Sequence, residues 1–407
     1  MARSQFRNLV FEGGGVLGIA YAGALRELQK RGVLQDIERV AGASAGAITA
    51  CLLAIGYSAD EIEDVVGRTS FESFMDAPGG FFVSLARSIS SFGWYRGDAF
   101  SQWLRERFIQ KGLSPDLTFI ELEAMAESPE NTRSTQPGKF RKLYVVASDI
   151  TQGVVRQYDA NEERQRNELL AGEGRESEPM PIWRAVRASM SIPFFFSSVR
   201  EAISELAGAA TQGAWQRRSS ARVLVDGGVT WNYPIDLFDD KRFIDEADSI
   251  DRVTADPKND LHFATVYDEG HVYNKQTLGF RVDTADEVAE YMGREQSPRK
   301  PITSVLGYCL SLIQFMRAIA LKSHLKTHDW HRTVFLDAGT ISFTKFDLTR
   351  DEIETLVRSG EAGCRKYFDW FDKDVRAADD ERPINKVIPA PALAVETPSA
   401  RRATTTT

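Results

Sequence analysis

The pentapeptide Gly-Ala-Ser-Ala-Gly at residues 42–46 fits the G-x-S-x-G pattern, in which the central serine can act as a nucleophile. The pattern requires a strand before the serine and a helix after it, and the alanine-rich run 45–54 suits that helix. We expect the sharp turn to strain the backbone of Ser44, with Gly42 and Gly46 avoiding side-chain collisions. The alternative is a small-residue turn that only packs a helix onto a strand.

A second glycine-rich segment, Gly-Gly-Gly-Val-Leu-Gly at residues 13–18, follows the apolar run 9–11 and is predicted to open a helix that continues to Gly32. A glycine loop at a helix start leaves several backbone N–H groups that can converge on one anion. That anion could be a phosphate, or the oxyanion formed when a serine attacks an ester. A tight turn with close helix packing is the structural alternative. The candidate oxyanion-hole residues are Gly13, Gly14, Gly15 and Gly18.

The same loop also spells G-x-G-x-x-G through Gly13, Gly15 and Gly18, which is a dinucleotide-binding fingerprint. That fingerprint requires an acidic residue at the end of the second strand, about 20 residues further on. Asp36 lies near that distance but precedes the predicted second strand, which instead leads into Ser44. A nucleotide-binding protein built on residues 13–18 is therefore an alternative from a different functional class.

Asp226 follows the apolar run 223–225 and precedes Gly227 and Gly228. A carboxylate at the end of a buried strand, followed by two glycines, can approach another loop closely. Such an aspartate could take the proton of a serine hydroxyl directly, since serine needs a base to become a good nucleophile. A common Asp-Gly turn is the structural alternative.

Histidine, the usual base of serine hydrolases, occurs only at position 262 and beyond. His262 lies in the predicted strand 261–266, where a buried structural histidine is the favoured interpretation. The order Ser44, Asp226, His262 nevertheless matches the order of an α/β-hydrolase triad, so a triad stays an alternative. The histidines of the chain are His262, His271, His324, His328 and His331.

The glycine loop, the G-x-S-x-G serine and the D-G-G aspartate, in this order, resemble the patatin-like phospholipases, specifically the bacterial-type lipid acyl hydrolases. Three further segments resemble the family at residues 147–153, 188–194 and 232–234, so that the resemblance covers about residues 8–240. Leu17 is a departure, because the family usually has arginine or lysine in the glycine loop. The backbone donors of an oxyanion hole do not need that cation.

The resemblance implies a Ser–Asp dyad in which Ser44 is the nucleophile and Asp226 is the general base. It also implies that Gly14 and Gly15 donate their N–H groups to the oxyanion. The implied function is a lipid acyl hydrolase that cleaves acyl esters of phospholipids through an acyl-serine intermediate, with no metal ion or other cofactor. An acyltransferase or a thioesterase with the same dyad is the alternative among enzymes.

The partners implied by the resemblance are a phospholipid or other acyl-ester substrate and the membrane surface, contacted peripherally. Some relatives are membrane-acting effectors that need a host activator, so an effector that needs a protein or small-molecule activator is an open alternative here. The net charge of −8, from 50 basic and 58 acidic residues, argues against nucleic acid as a partner.

Strands and helices alternate along the chain, which indicates an α/β fold with three α/β/α layers and a mostly parallel central sheet. The resemblance implies that this architecture is patatin-like. One acyl hydrolase domain is expected over residues 1–380, with a motif-bearing core over 8–240 and C-terminal helices and strands over 241–380. Residues 381–407 are rich in proline and threonine and are expected to form a disordered tail.

Local patterns predict the elements that position these residues. Two S/T-x-x-E capping boxes, at Ser58–Glu61 and Thr349–Glu352, predict helix starts. Apolar runs predict strands at 143–147, 154–158, 223–225, 261–266 and 333–336. Polar runs predict surface loops at 126–139, 160–179 and 204–221.

Two apolar segments have alternative interpretations. Residues 71–95 are crowded with aromatic side chains, which indicates either core packing or a flap that contacts acyl chains or a bilayer. Residues 305–321 are too short to span a membrane, which needs about 20 apolar residues, and they include Gln314 and Arg317. We expect a buried or lid-type helix there, with a lipid-interface helix as the alternative.

Cysteine usage and the N-terminus predict a cytoplasmic protein that contacts membranes peripherally. The three cysteines, Cys51, Cys309 and Cys364, are widely separated and odd in number, so we expect neither a disulfide framework nor a metal site. No secretory signal is visible, because the apolar run near the N-terminus is too short for a signal core.

Overall fold

The structure is a computed structural model that describes most of the chain between Ser4 and Asp374. Two expectations, the strand at 261–266 with His262 and the tail at 381–407, lie outside the described residues. The expected loop at 204–221 also lies outside them, except for Ala221. The described residues are 4–76, 93–172, 179–202, 221–244, 274–284, 327–343, 345–374 and scattered positions between 302 and 319.

A mostly parallel sheet forms the centre of the molecule, as the sequence predicts. Its parallel part has the order β10-β9-β1-β2-β4. Its residues are largely buried, because helices cover a parallel sheet of this kind. The parallel strands are β1 (Asn8–Phe11), β2 (Arg39–Ala43), β4 (Lys142–Asp149), β9 (Thr277–Asp283) and β10 (Thr333–Asp337).

Antiparallel strands extend the sheet beyond β4. In the register, Ala43 of β2 lies opposite Val146 of β4, and the next residue of β4, Ala147, lies opposite Asp226. The end of β2 and the end of β8 therefore flank β4 at the same level. The antiparallel strands are β5 (Val154–Tyr158), β7 (Val199–Ala202) and β8 (Ala221–Asp226), and a separate pair is formed by β3 (Gly93–Tyr95) and β6 (Phe194–Phe196).

Helices flank the sheet, and both predicted capping boxes are present. The backbone and side chain of Ser58 pair reciprocally with Glu61, and those of Thr349 pair with Glu352. The continuous α-helices of the described residues are α1 (Ala20–Lys30), α2 (Ala45–Ala54), α3 (Ala59–Arg68), α4 (Asp98–Gln110), α5 (Phe119–Glu127), α6 (Pro129–Arg133), α7 (Ala160–Gly172), α8 (Ile182–Ser189) and α9 (Arg350–Asp374).

Two of the loop predictions are wrong in part, because surface helices in these segments are as polar as loops. Residues 126–139 contain the end of α5 and the short α6, which starts after the N-cap residue Ser128. Residues 160–172 form α7, and the Asp159 carboxylate accepts from the first backbone N–H groups of this helix. An aspartate in that position caps a helix regardless of how polar the helix itself is.

Glycines bring α1 and α9 into backbone contact. A Cβ added at Gly360 would lie 1.8 Å from the carbonyl oxygen of Ala20, and one added at Gly23 would lie 1.8 Å from that of Val357. Helix α9 therefore packs directly on α1, and it also packs on β10.

We expect Gly360→Ala to lower the free energy of unfolding by about 1–3 kcal/mol, since α1 and α9 must move apart to admit a methyl group. Gly67→Ala in α3 is the matched control, because nothing lies within 4 Å of its added Cβ. The control should raise the stability by about 0.5–1 kcal/mol. Urea denaturation measures both, and equal effects would contradict the close crossing.

The described parts of the two apolar segments differ from each other. Residues 71–74 form a 3-10 turn in which Phe74 is buried against Phe100 and Trp103, which matches core packing. Four of the helical positions described between 307 and 319 instead carry exposed apolar side chains, so the expectation of a buried helix is wrong for Tyr308, Leu312, Phe315 and Ile319. Among the described helices, none has the length and hydropathy needed to cross a membrane.

Candidate active site

Ser44 occupies a sharp turn between β2 and α2. Its φ of 51° and ψ of −125° are unusual for a residue with a side chain, so the backbone is strained there. The turn needs both flanking glycines. A Cβ at Gly42 would lie 2.3 Å from the carbonyl carbon of Gly46, and one at Gly46 would lie 2.2 Å from the carbonyl oxygen of Phe11.

Ser44 and Asp226 meet in a buried hydrogen bond. Ser44 Oγ donates to Asp226 Oδ2 at 2.6 Å, and both residues are 5% exposed. The other carboxylate oxygen, Oδ1, accepts from the backbone N–H of Gly228 at 2.7 Å. The carboxylate is therefore oriented toward the serine hydroxyl by the two glycines that follow it.

Two serines in and after α8 position this pair. Ser189 Oγ accepts from the backbone N–H of Ser44 at 2.9 Å and donates to the carbonyl oxygen of Val146. The carbonyl oxygen of Ser191 accepts from the backbone N–H of Asp226 at 2.9 Å. Both serines lie in the segment 188–194 that resembles the family, but the sequence pattern assigned them no role.

The glycine loop lies beside Ser44, and its four glycines have different surroundings. The N–H of Gly13 donates to the carbonyl oxygen of Asn232 at 2.9 Å, so that donor is already used. Gly18 lies in the 3-10 turn 15–19, where a Cβ would lie 2.9 Å from Ala45 Cβ, so it provides space against α2. For the N–H groups of Gly14 and Gly15, the described residues supply no acceptor.

Gly15 can only be a glycine in this geometry. Its φ is +55°, and an added Cβ would lie 2.3 Å from the carbonyl oxygen of Phe343. That same carbonyl accepts from the N–H of Val16 at 3.1 Å. The loop after β10 therefore packs against the glycine loop and hydrogen-bonds to it. No local sequence pattern predicts this contact.

A buried arginine fixes the segment that leads out of α8. Burial lowers the pKa of Arg187 to about 10, so the guanidinium stays charged at neutral pH. Its fixed geometry suits several carbonyl acceptors at once. Arg187 donates to the carbonyl oxygens of Arg96, Gly97 and Ser197 and to the hydroxyl of Ser191.

Two cavities adjoin at Ser44. The first, the catalytic chamber, contains the Ser44–Asp226 pair, with Gly13, Gly15 and Asn232 in its wall. The second, the apolar chamber, is the larger of the two and extends from Ser44 along α2. The apolar chamber is lined mainly by Ile19, Ile48, Val66, Phe71, Phe74 and Phe196.

No histidine lines either chamber in the part of the chain that the structure describes. The described histidines, His328 and His331, lie in the turn before β10. His262, His271 and His324 lie outside the described residues, so the triad alternative stays untested. The described residues also contain no group of three or more His, Cys, Asp or Glu side chains that could hold a metal ion.

A patatin-like phospholipase family model matches residues 9–239, which is more than half of the chain and includes the glycine loop, Ser44 and Asp226. The chain belongs to the patatin-like phospholipase family. Membership supports lipid hydrolase activity. The strands β9 and β10 and the helix α9 lie beyond the stretch that the family model matches.

Two relatives of this patatin-like protein are similar in sequence. YqhO of Bacillus subtilis (strain 168), an uncharacterised protein, is 33% identical over 237 residues, which are 57% of this chain and 67% of YqhO. The uncharacterised protein R571 of Acanthamoeba polyphaga mimivirus is 30% identical over 241 residues, which are 59% of this chain and 64% of R571. The chain thus matches about two thirds of the length of each relative.

Solved structures similar to this patatin-like protein include two bacterial proteins. The match to VipD from Legionella pneumophila has 14% identity and a TM-score of 0.47 and covers 90% of this chain and 67% of VipD. The match to the type III effector ExoU has 13% identity and a TM-score of 0.40 and covers 90% of this chain and 53% of ExoU.

Proposed function

We propose that this protein is a serine-dependent lipid acyl hydrolase that cleaves acyl esters of phospholipids with a Ser44–Asp226 dyad. The observation that carries the proposal is the 2.6 Å hydrogen bond between Ser44 Oγ and Asp226 Oδ2, at the point where the catalytic chamber and the apolar chamber meet. A nucleophile and its base within hydrogen-bond reach are the signature of covalent catalysis. The apolar chamber suits a lipid chain.

In the first half-reaction, Asp226 takes the proton of Ser44 Oγ while Oγ attacks the ester carbonyl carbon. The carbonyl oxygen becomes an oxyanion in the tetrahedral intermediate. The bond to the alcohol then breaks, and Asp226 returns the proton to the departing oxygen, which leaves as the lysophospholipid. In the second half-reaction, water releases the fatty acid from acyl-Ser44.

The oxyanion would be held by the N–H groups of Gly14 and Gly15. Gly13 is left out of the proposed donor set because its N–H is bonded to the carbonyl oxygen of Asn232. Gly18 has a spacing role, as described above. Backbone donors fixed in a buried site stabilise a developing negative charge without a metal ion.

The acyl chain would occupy the apolar chamber. Its wall follows one face of α2, from Ala45 at the nucleophile to Thr49 one turn further, and Val66 of α3 contributes to the same wall. Each methylene buried there contributes about 0.8 kcal/mol to binding. The depth of the chamber should therefore set the preferred chain length.

We expect Val66→Phe to shorten the preferred acyl chain by about two to four carbons, because the larger ring fills part of the apolar chamber. Each excluded methylene should reduce kcat/KM for long chains about fourfold. Hydrolysis of a p-nitrophenyl ester series from C4 to C16 measures this shift. The C4 ester is the internal control, and a uniform loss over the whole series would contradict the assignment of the chamber.

The face described between 307 and 319 would contact the membrane that holds the substrate. Its apolar residues are 37% to 62% exposed and recur at helical spacing on one side. Met316, between them in sequence, packs against the hydrophobic core. This outward face consists of Tyr308, Leu312, Phe315 and Ile319.

We expect the double substitution Leu312→Ser and Phe315→Ser to weaken binding to phospholipid vesicles about 10²- to 10⁴-fold, since burial of each of the two side chains is worth about 1.5–3 kcal/mol. Gln314→Ser is the matched control, because Gln314 is exposed and polar in the same stretch. Vesicle sedimentation measures binding. Unchanged binding, or an equal loss of activity on a soluble short-chain ester, would contradict a membrane role.

The nucleotide-binding alternative is less well supported. Asp36, the acidic residue it requires, lies in the 3-10 turn 34–36 before β2, where its carboxylate accepts from the N–H of Ser4. The glycine loop lies against Ser44 and Ala45. An acyltransferase or thioesterase with the same dyad differs from a hydrolase only in its acceptor or its substrate.

A reaction with a fluorophosphonate tests the proposed function. We expect covalent labelling of Ser44, and release of fatty acid from phospholipid micelles with a chelator present. A folded protein that is neither labelled nor active, but whose melting temperature rises with NAD or FAD, would favour the nucleotide-binding alternative. Activity that appears only after addition of a cell extract would indicate an activator.

A further inference from the structure

The side chain of Asn232 is buried beside the dyad and held in one orientation. It is 2% exposed, and its Nδ2 donates to Glu12 Oε1 at 2.9 Å and to the carbonyl oxygen of Gly13 at 3.1 Å. Both partners only accept, so the amide nitrogen faces them and the amide oxygen faces the other way. That oxygen, Oδ1, has no donor among the described residues.

The orientation of Asn232 depends on a second buried group. Glu12 Oε2 accepts from the backbone N–H of Val282 at 3.2 Å and lies 3.7 Å from Arg281 Nε. Glu12 and Arg281 are 3% and 1% exposed. The carboxylate that holds the Asn232 amide is thus itself held by β9, which lies beyond the stretch that the family model matches.

The free oxygen of Asn232 lies in the wall of the catalytic chamber. A Cβ added at Gly13 would lie 2.5 Å from Asn232 Oδ1 and 3.1 Å from Ser44 Cβ. A Cβ added at Gly228 would lie 2.5 Å from the same oxygen and 2.9 Å from Asp226 Oδ1. These two glycines therefore leave room between the Asn232 oxygen and both members of the dyad.

A buried acceptor without a donor costs about 1–3 kcal/mol, so it calls for a ligand that donates. The ester group of the substrate offers only oxygen acceptors at the scissile bond. Among the reacting groups, only the water that hydrolyses the acyl-enzyme enters the chamber with O–H donors. We propose that Asn232 Oδ1 binds and orients this water for its attack on acyl-Ser44. The inference rests on the proposed function.

In this arrangement one O–H of the water donates to Asn232 Oδ1 and the other to the Asp226 carboxylate. The water oxygen bonds to the acyl carbon as Asp226 takes its proton. The bond from the acyl carbon to Ser44 Oγ then breaks, Asp226 returns the proton to Oγ, and the fatty acid leaves. Asn232 exchanges no proton. It acts by holding the water in the attacking position, where a misplacement of about 1 Å can cost 10²-fold in rate.

The proposal separates the two halves of the reaction. Attack by Ser44 needs no water, so it does not need the Asn232 oxygen. Release of the acyl group needs both the water and the Asn232 oxygen that orients it. The variant Asn232→Leu replaces the amide by an apolar group of similar size and removes the acceptor.

Two rates measured on folded Asn232→Leu test the proposal. We expect fluorophosphonate labelling of Ser44 within about threefold of wild type, and turnover of a p-nitrophenyl acyl ester reduced about 10- to 100-fold. Acyl-Ser44 should accumulate, visible as a burst of p-nitrophenol and as a mass adduct. Equal losses in both rates would mean that Asn232 only supports the glycine loop, and unchanged turnover would also overturn the proposal.

Trp231→Phe is the control, because Trp231 precedes Asn232 but lines neither chamber, and it should preserve both rates. A wild type that is neither labelled nor active would refute the proposed function instead.

A crystal structure of wild type phosphonylated at Ser44 does not depend on the folding of a variant. It should show a water about 2.7–3.2 Å from both Asn232 Oδ1 and the Asp226 carboxylate. A structure without that water would overturn the proposal.

Discussion

Ser44→Ala is expected to reduce phospholipid hydrolysis by about 10⁴-fold or more, because the acyl-enzyme cannot form without the serine hydroxyl. The fold should persist. Alanine adopts the same strained φ at the same cost, and the lost hydrogen bond to Asp226 is worth about 1–2 kcal/mol. Fatty-acid release from mixed micelles, together with a thermal melt, measures both effects.

Ser114→Ala is the control for Ser44→Ala, since Ser114 is exposed in the turn before α5 and lies in neither chamber. It should keep full activity. Residual hydrolysis by Ser44→Ala above about one hundredth of the wild-type rate would show that another group carries the acyl chain.

Asp226→Asn is expected to reduce kcat by about 10²–10⁴-fold, the usual contribution of a general base. The amide has the shape of the carboxylate but cannot take the proton of Ser44 Oγ. Labelling of Ser44 by a fluorophosphonate should slow in parallel, because the activation of the same hydroxyl is lost. Steady-state kinetics and the labelling rate therefore give two independent readouts.

Asp64→Asn is the control for Asp226→Asn, because Asp64 is exposed on α3 and pairs with Arg68 one turn further along the same helix. Its activity should equal that of wild type. A fully active Asp226→Asn would show that the base lies elsewhere, and His262 would then be the first residue to test by substitution.

The parts of the candidate site that local patterns predict are those built within a few residues of each other. The turn at Ser44, the glycine loop and the strand that ends at Asp226 each follow from a strand and adjacent glycines. The alternation of strands and helices predicted the α/β fold with its mostly parallel sheet, which the structure confirms, and the ordered motifs predicted the family.

The parts that could not be predicted depend on contacts between distant segments. The bond from Asn232 to Gly13 spans 219 residues, and the bond from Val282 to Glu12 spans 270. Neither Asn232 nor Val282 lies in a pattern that states its partner. The hydrogen bond from the Gly13 N–H to the carbonyl oxygen of Asn232 can be seen only in the folded chain. This bond is the reason that Gly13 is left out of the proposed oxyanion donors.

The prediction of secondary structure failed where the composition of a segment and the residue that caps it indicate different structures. The charged residues of α7 indicate a solvated loop, but Asp159 caps a helix there, and Glu163 of that helix is buried with its carboxylate accepting from the N–H of Ile120. The cap and the long-range hydrogen bond stabilise this helix although its residues are mostly polar. Of the two, only the capping residue can be recognised in the sequence.

The most direct test of the Ser44–Asp226 account is mass spectrometry of the wild-type protein, quenched in acid during turnover of a phospholipid with a chelator present. The account predicts a transient adduct of one acyl group on the peptide that contains Ser44, which decays as free fatty acid accumulates. Fatty acid released without an adduct on Ser44, or an adduct on another residue, would contradict it.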